Sequence, residues 1–401
     1  MTKFREGAVK RHILPMLACL TMTAFEPVSA QDLTITNARI IVANGTVIDR
    51  GSIVVRAGKI VSAAPGAPSA LAGRTIDAKG MTAMPGLIDA HKHINTGPNE
   101  KAEMQALLEA GYTTILSGGG PADGNLTLKD HIDKGVINGP RIIPSGRVGL
   151  LAKNTPEMAR AEVRALAAMG IKFTGELLLT PVPGPSPQEI EVLRAVVDEG
   201  KKAGVMIQIH AVSSSAMRAA IDAGAPLLVH LPNKDWVSQE DAKKLAASGI
   251  RILTTSGFGA PVFGVFANDN APRFRDGKPW PSGIIDGVRL GEEAGYMLVN
   301  ARTVWDQGAI LGYCTDTTYD PKAGLDHELK GLNVMFSMQD LVKLMGPNTA
   351  SYIQMGDQLG TLEPGKLADI ILLDGNPLEG YWNWLKTKVV VKGGMIVVDK
   401  R

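Results

Sequence analysis

Apolar and polar positions alternate in short runs at both ends of the chain and give way to helical spacings between them. Near the start, Leu33-Thr34-Ile35-Thr36 alternates. Arg39-Ile40-Ile41-Val42, Ser52-Ile53-Val54-Val55 and Lys59-Ile60-Val61 follow, with Asn-Gly and Ala-Gly turn signals between them. The C-terminus has the same texture: Asp369-Ile370-Ile371-Leu372-Leu373, then Lys388-Val389-Val390-Val391, a Gly393-Gly394 turn and Met395-Ile396-Val397-Val398. Two β segments around a long middle predict one small β-sandwich built from residues 31–85 and 358–401.

From 86 to 357 strands alternate with helices. The expected strands are 87–91, 112–117, 140–145, 171–178, 205–210, 226–230, 250–255 and 308–314. The clearest helix runs from Ser186 to Ala203: a cap and a proline, then Ile190, Leu193, Val196 and Val197 at helical spacing, closed by Gly204. Eight such strands predict an α/β fold, a (β/α)8 TIM barrel. An open doubly wound sheet is the competing arrangement, but no Gly-x-Gly-x-x-Gly or P-loop supports a nucleotide site.

Residues 1–30 read as a signal peptide. Lys3, Arg5, Lys10 and Arg11 precede an apolar Ile13–Phe25 stretch and a small-residue site at Val28-Ser29-Ala30. The apolar part is too short and broken to span a membrane. The expectation is an exported protein, periplasmic in a Gram-negative source. Beyond that segment Cys314 stands alone, so no intramolecular disulfide forms. A net charge of +2, with no basic run, argues against a nucleic-acid partner. The expected partners are a small-molecule substrate and further copies of the chain.

Chemistry concentrates at strand ends. Pro85-Gly86-Leu87-Ile88-Asp89-Ala90-His91-Lys92-His93 runs an apolar strand into two histidines whose i, i+2 spacing points both imidazoles one way. Alone, that pattern fits a metal site no better than one buried and one exposed histidine. Val205-Met206-Ile207-Gln208-Ile209-His210 and Pro226-Leu227-Leu228-Val229-His230 end the same way. In a barrel these ends ring one mouth, so four imidazoles converge. Asp316, after the last strand, adds a carboxylate able to bind metal and carry a proton.

In Gly170-Ile171-Lys172-Phe173-Thr174-Gly175-Glu176, Lys172 and Glu176 share strand parity. Glu176 lies nearer the C-terminal end and can bridge two ions unmodified. Lys172, the alternative bridging ligand, would need carboxylation. His327 is expected in a loop overlooking the mouth, as a substrate contact or a surface residue. His131 is expected to be structural, and Cys314 to be a packing residue. The stretch 256–283, with Phe258, Phe263, Phe266, Trp280, Arg273 and Arg275, is a candidate substrate lid or a rim insertion.

Taken together, the Pro-Gly-Leu-Ile-Asp run before His-x-His, the strand-ending His210 and His230, and Thr315-Asp316 resemble the amidohydrolase superfamily. So does Leu359-Gly360-Thr361-Leu362-Glu363-Pro364-Gly365-Lys366-Leu367-Ala368-Asp369-Ile370, followed by Asp374-Gly375-Asn376-Pro377-Leu378. Within it, the chain is similar to the imidazolonepropionase-related enzymes. Many of these carry a carboxylated lysine where this chain has Gly175. The local Gly-Glu pair is instead enamidase-like, with glutamate as the bridge. The resemblance implies His91, His93 and Asp316 on one divalent metal, His210 and His230 on a second, and Glu176 between them. Two zinc ions are expected, with iron or manganese as alternatives. It also implies a metal-bound hydroxide that hydrolyses a C–N bond of an amide, lactam or related small molecule, with Asp316 moving the proton. Lactone or ester hydrolysis on the same site, or a non-catalytic exported metal- or ligand-binding protein, are the alternative functions.

Overall fold

The computed structural model describes residues 32–256, 274–275, 278–279, 287–317 and 320–401. The N-terminal strands are β1 (Leu33–Ile41), β2 (Val47–Arg56), β3 (Lys59–Pro65), β4 (Arg74–Asp77) and β5 (Thr82–Pro85). The parallel strands follow: β6 (Leu87–Lys92), β7 (Tyr112–Ser117), β8 (Arg141–Ile143), β9 (Ser145–Gly146), β10 (Phe173–Leu178), β11 (Met206–His210), β12 (Leu227–Val229) and β13 (Arg251–Leu253). A hairpin of β14 (Phe274–Arg275) and β15 (Lys278–Pro279) precedes β16 (Ile310–Gly312). The chain closes with β17 (Ile370–Leu373), β18 (Thr387–Lys392) and β19 (Met395–Asp399).

Both chain ends enter one sheet. Its order is β19-β18-β17-β5-β1-β2-β3, with β4 paired to β1. The seam is antiparallel, Ile371 facing Met84 and Leu372 facing Ala83. Hydrogen bonding joins these strands from both chain ends as one eight-stranded sheet. The Gly393-Gly394 turn has φ of 55° and 82°, the left-handed pair that a tight hairpin requires and glycine adopts freely. Ile35, Ile53, Ile76, Ile370 and Val391 are wholly buried in this sheet's apolar cluster.

The middle of the chain is α/β. Helices α1 (Glu100–Ala110), α2 (Ala122–Asp133), α3 (Pro156–Ala168), α4 (Pro187–Ala203), α5 (Ser214–Asp222), α6 (Gln239–Ser248), α7 (Gly287–Asp306) and α8 (Pro321–Met335) alternate with the parallel strands, α7 coming after β13 and the β14–β15 hairpin. Ser186 and Glu189 form a capping box at the start of α4, and Gly204 ends it in the left-handed conformation. Leu193 and Val196 are fully buried, each burial worth roughly 1.5–3 kcal/mol. The parallel strands hydrogen-bond in the orders β6-β7-β8 and β9-β10-β11-β12-β13-β16. A shared interior draws Ile88 and Ala90 from β6, Leu116 from β7, Phe173 from β10, Leu227 from β12 and Leu253 from β13 onto Cys314 and Tyr352. Parallel strands all end on the same side, so whatever residue closes each of them faces a common rim. Among the described residues no helix is long and apolar enough to cross a membrane.

Candidate metal centre

Six of the residues singled out by their strand-end positions meet at one place. Glu176 lies between the histidines. Its Oε2 is 2.7 Å from His210 Nδ1 and 3.1 Å from His230 Nε2, and 3.8 Å from His91 Nε2. Its Oε1 is 3.8 Å from His93 Nε2. Asp316 lies 3.2 Å from His93 Nε2 and 3.6 Å from both His91 Nε2 and His230 Nε2. The His91 and His93 rings stand edge to face, 5.2 Å apart.

Among the described residues, three sets of side chains can each close on one ion: His91, His93 and Glu176; His91, His230 and Asp316; and Glu176, His210 and His230. Such mixed imidazole and carboxylate donors suit a transition metal. His91 supplies the test of fit. It is wholly buried, yet neither ring nitrogen has a hydrogen-bond partner among the described residues. An orphaned buried nitrogen is destabilising unless something else binds it. The backbone makes room for that ring: a Cβ on Gly118 would lie 2.8 Å from His91 Nε2.

The electrostatics keep the carboxylates charged. Burial opposes ionisation of Glu176, but hydrogen bonds to His210 and His230 and the nearby His91 outweigh it and hold the carboxyl well below the usual range. Asp316 behaves alike: burial resists, and the His93 hydrogen bond, helped by the nearby imidazoles of His91 and His230, wins. Burial pushes His91 down to about 4, against the pull of Glu176 and Asp316. The imidazole is thus neutral near pH 7, the form a metal requires.

Two of these positions have left-handed backbones unusual for non-glycine residues: His230 at φ 67° and Asp316 at φ 51°. Each conformation is destabilising by roughly 1–3 kcal/mol and persists only where its surroundings dictate it. The Thr255 hydroxyl lies 2.7 Å from His230 Nδ1, and the Asp316 amide donates to the His91 carbonyl at 2.9 Å.

The other candidates fall elsewhere. Lys172 is exposed just before β10, four residues from Glu176, and its carbonyl accepts from the Met206 amide. His327 lies in helix α8 and not in a loop, because the Asp320 cap and Pro321 start the helix early and Leu325, Leu329 and Leu332 bury its apolar face. Burial lowers the pKa of His327. His131 is structural, its Nδ1 2.7 Å from Glu100 Oε1. Cys314 is a buried thiol whose pKa burial raises. Phe258, Phe263, Phe266, Trp280 and Arg273 lie outside the described residues, and Arg275 is described only as part of strand β14.

Sequence reasoning missed Gly118, Thr255, Lys92 and Thr317. The Gly118-Gly119-Gly120 run after β7 was the available signal: three glycines at a strand end mark a close backbone approach.

The model of the amidohydrolase family matches residues 82–397. An imidazolonepropionase of Caldanaerobacter subterraneus subsp. tengcongensis is 24% identical over 430 residues, 93% of this chain and 94% of the relative. One from Thermoanaerobacter pseudethanolicus is 23% identical over 404 residues, 84% of this chain and 88% of the relative. A Bifidobacterium longum structure named as a candidate prolidase superposes with a TM-score of 0.77 at 27% identity, across 93% of this chain and 97% of that one.

Proposed function

The chain belongs to the amidohydrolase family and is a hydrolase acting on C–N bonds; we propose that it is metal-dependent and cleaves an amide, lactam or related bond of a small molecule. The observation that carries this reading is the wholly buried, unpartnered His91 beside two ionised carboxylates and three further imidazoles. His91, His93 and Asp316 would hold one divalent cation and His210 and His230 another, with Glu176 shared. A bound cation supplies Lewis acidity, polarising a carbonyl and making water a stronger acid. Zinc suits these donors, as do iron and manganese.

Asp316 is the proton carrier in this reading. Its carboxylate is ionised, sits at the rim and is close to three imidazoles, so it can take a proton from attacking water and pass it to the leaving nitrogen. Leu178 shares strand parity with Glu176, stands opposite His210 in the register and is 45% exposed, giving substrate an apolar wall.

The two parallel sheets are read as one ring of eight strands, a (β/α)8 barrel over residues 86–357. Supporting closure, Ala90 N donates to Tyr313 O at 3.3 Å, and only Pro144 separates β8 from β9. The imidazolonepropionase relatives favour a C–N substrate over the lactone, ester and pure binding alternatives. Residues 1–30 lie outside the described structure. We read them as an export signal, testable by the mass of mature protein from a cell-envelope fraction.

Elemental analysis with a panel of N-acyl compounds, cyclic amides and lactones tests the function. The expected result is close to two ions per chain, C–N turnover lost to a chelator and restored by metal, and loss of turnover with metal retained in Asp316→Asn. Turnover in ion-free protein would overturn the metal reading, and an ion ratio near one would remove the bridged pair.

A further inference from the structure

Strand β6 carries two buried charged residues that the metal reading leaves unused, Asp89 and Lys92. Their hydrogen bonds run to the segment that presents Asp316. Asp89 Oδ1 accepts from the Thr315 amide at 3.2 Å, and Oδ2 accepts from the Thr315 hydroxyl at 2.5 Å. Lys92 Nζ donates to the Thr317 carbonyl at 2.6 Å and to its hydroxyl oxygen at 3.1 Å. Between them the Asp316 amide donates to the His91 carbonyl. Three consecutive residues, 315 to 317, are thus each tied to β6, the strand that carries His91 and leads into His93.

The held residue is the one that needs holding. Asp316 has φ 51°, a backbone that an aspartate leaves readily when nothing enforces it. Thr315 and Thr317 are both buried, so neither can exchange these bonds for water. Burying a carboxylate and an ammonium is unfavourable, and an apolar pair of similar volume would pack the same space at least as well. What charges supply and an apolar pair cannot is direction: short bonds that fix the backbone on both sides of Asp316.

We propose that Asp89 and Lys92 are positioning residues for hydrolysis, a two-point clamp that holds residues 315–317 so that the Asp316 carboxylate faces His91 and His93. This rests on the reading of Asp316 as ligand and proton carrier. The clamp itself is a property of the metal-free chain and can be tested there.

The test compares wild type with Thr315→Val, Lys92→Met and Thr315→Ser, the last retaining the hydroxyl. Because Lys92→Met leaves Asp89 buried without its counter-charge, Asp89→Asn/Lys92→Met removes both charges together and serves if the single variant does not fold. In metal-free protein, amide exchange at Asp316 is expected to quicken about tenfold in Thr315→Val and Lys92→Met, the loss of one hydrogen bond to a charged group. The Gly118 amide, bonded to the Lys92 carbonyl, stays protected, and Thr315→Ser recovers protection. In the metal-loaded enzyme, metal affinity falls roughly 10- to 100-fold, and kcat falls while KM is little changed. Folded variants with wild-type exchange at Asp316 would overturn the clamp. If wild type binds no divalent ion and hydrolyses nothing in the panel, the functional reading fails, and exchange still decides the clamp.

Discussion

The hydroxyl of Thr255 stands 2.7 Å from Nδ1 of His230, on the side of the ring away from Glu176. When Nδ1–H donates to that hydroxyl, the lone pair of Nε2 is turned toward the two carboxylates. A ligating histidine depends on such a partner for both tautomer and ring orientation. Thr255→Val keeps the volume and removes the acceptor. The expected outcome is a folded protein whose metal affinity, measured by chelator competition, is weakened roughly 10- to 100-fold. Unchanged affinity would mean that the left-handed backbone of His230 orients the ring unaided.

Glu176 and Lys172 make opposite predictions, although both were candidates for the bridging position. Glu176 has an imidazole nitrogen at 2.7 Å and another at 3.1 Å, while Lys172 is exposed. Glu176→Ala should lower the ion content by at least one per chain and abolish turnover. Lys172→Met should leave ion content and kcat/KM within a factor of about two of wild type, as surface substitutions usually do. Loss of metal in Lys172→Met would reinstate the modified lysine.

The loop between Glu176 and helix α4 is anchored by one buried carboxylate. Glu189 accepts from the Thr180 amide at 2.9 Å and from the Ser186 amide at 2.8 Å. Burial opposes ionisation of Glu189, but these bonds prevail, and its pKa lies below the ordinary 4.5. A depressed folded pKa contributes stability that is present above the unfolded value and is lost as pH falls through the folded one. The gap in urea midpoint between wild type and Glu189→Gln should therefore be full at pH 6 and narrow below about 4.5. A gap independent of pH would show that the carboxylate charge has no part in the cap.

Much of this was legible because it rests on local pattern. His91, His210 and His230 each close or nearly close an apolar run, and parallel strands convert equivalent sequence positions into a common rim. The α4 boundaries were readable because Ser186, Pro187 and Gly204 carry their own backbone preferences. His327 was misplaced because distance from a strand does not reveal where the next helix begins; the Asp320 cap lies seven residues earlier and Pro321, the first helical residue, six. Thr255, Lys92 and Thr317 were missed for a different reason. Their partners are 25 residues away for Thr255 and 225 residues away for the Lys92–Thr317 pair, and no periodicity encodes a pairing across that span.

Gly118 tests the tightest contact in the centre. A Cβ there would sit 2.8 Å from His91 Nε2 and 2.9 Å from Cε1. His91 is fully buried, so its ring has no open space to swing into. Gly118→Ala therefore forces the imidazole, or the β7 backbone, out of place. Overpacking of this kind is destabilising by about 1–3 kcal/mol, but the larger effect should fall on metal, because ligand geometry tolerates little displacement. Gly295, inside helix α7, has nothing within 4 Å of its added Cβ, so Gly295→Ala should stabilise by about 0.5–1 kcal/mol and leave metal affinity unchanged. Thermal melts and chelator competition on the two variants separate the effects. A Gly118→Ala protein that melts and binds metal like wild type would show that His91 is not confined by the glycine run after β7, and would remove its buried, unpartnered ring as an argument for the metal.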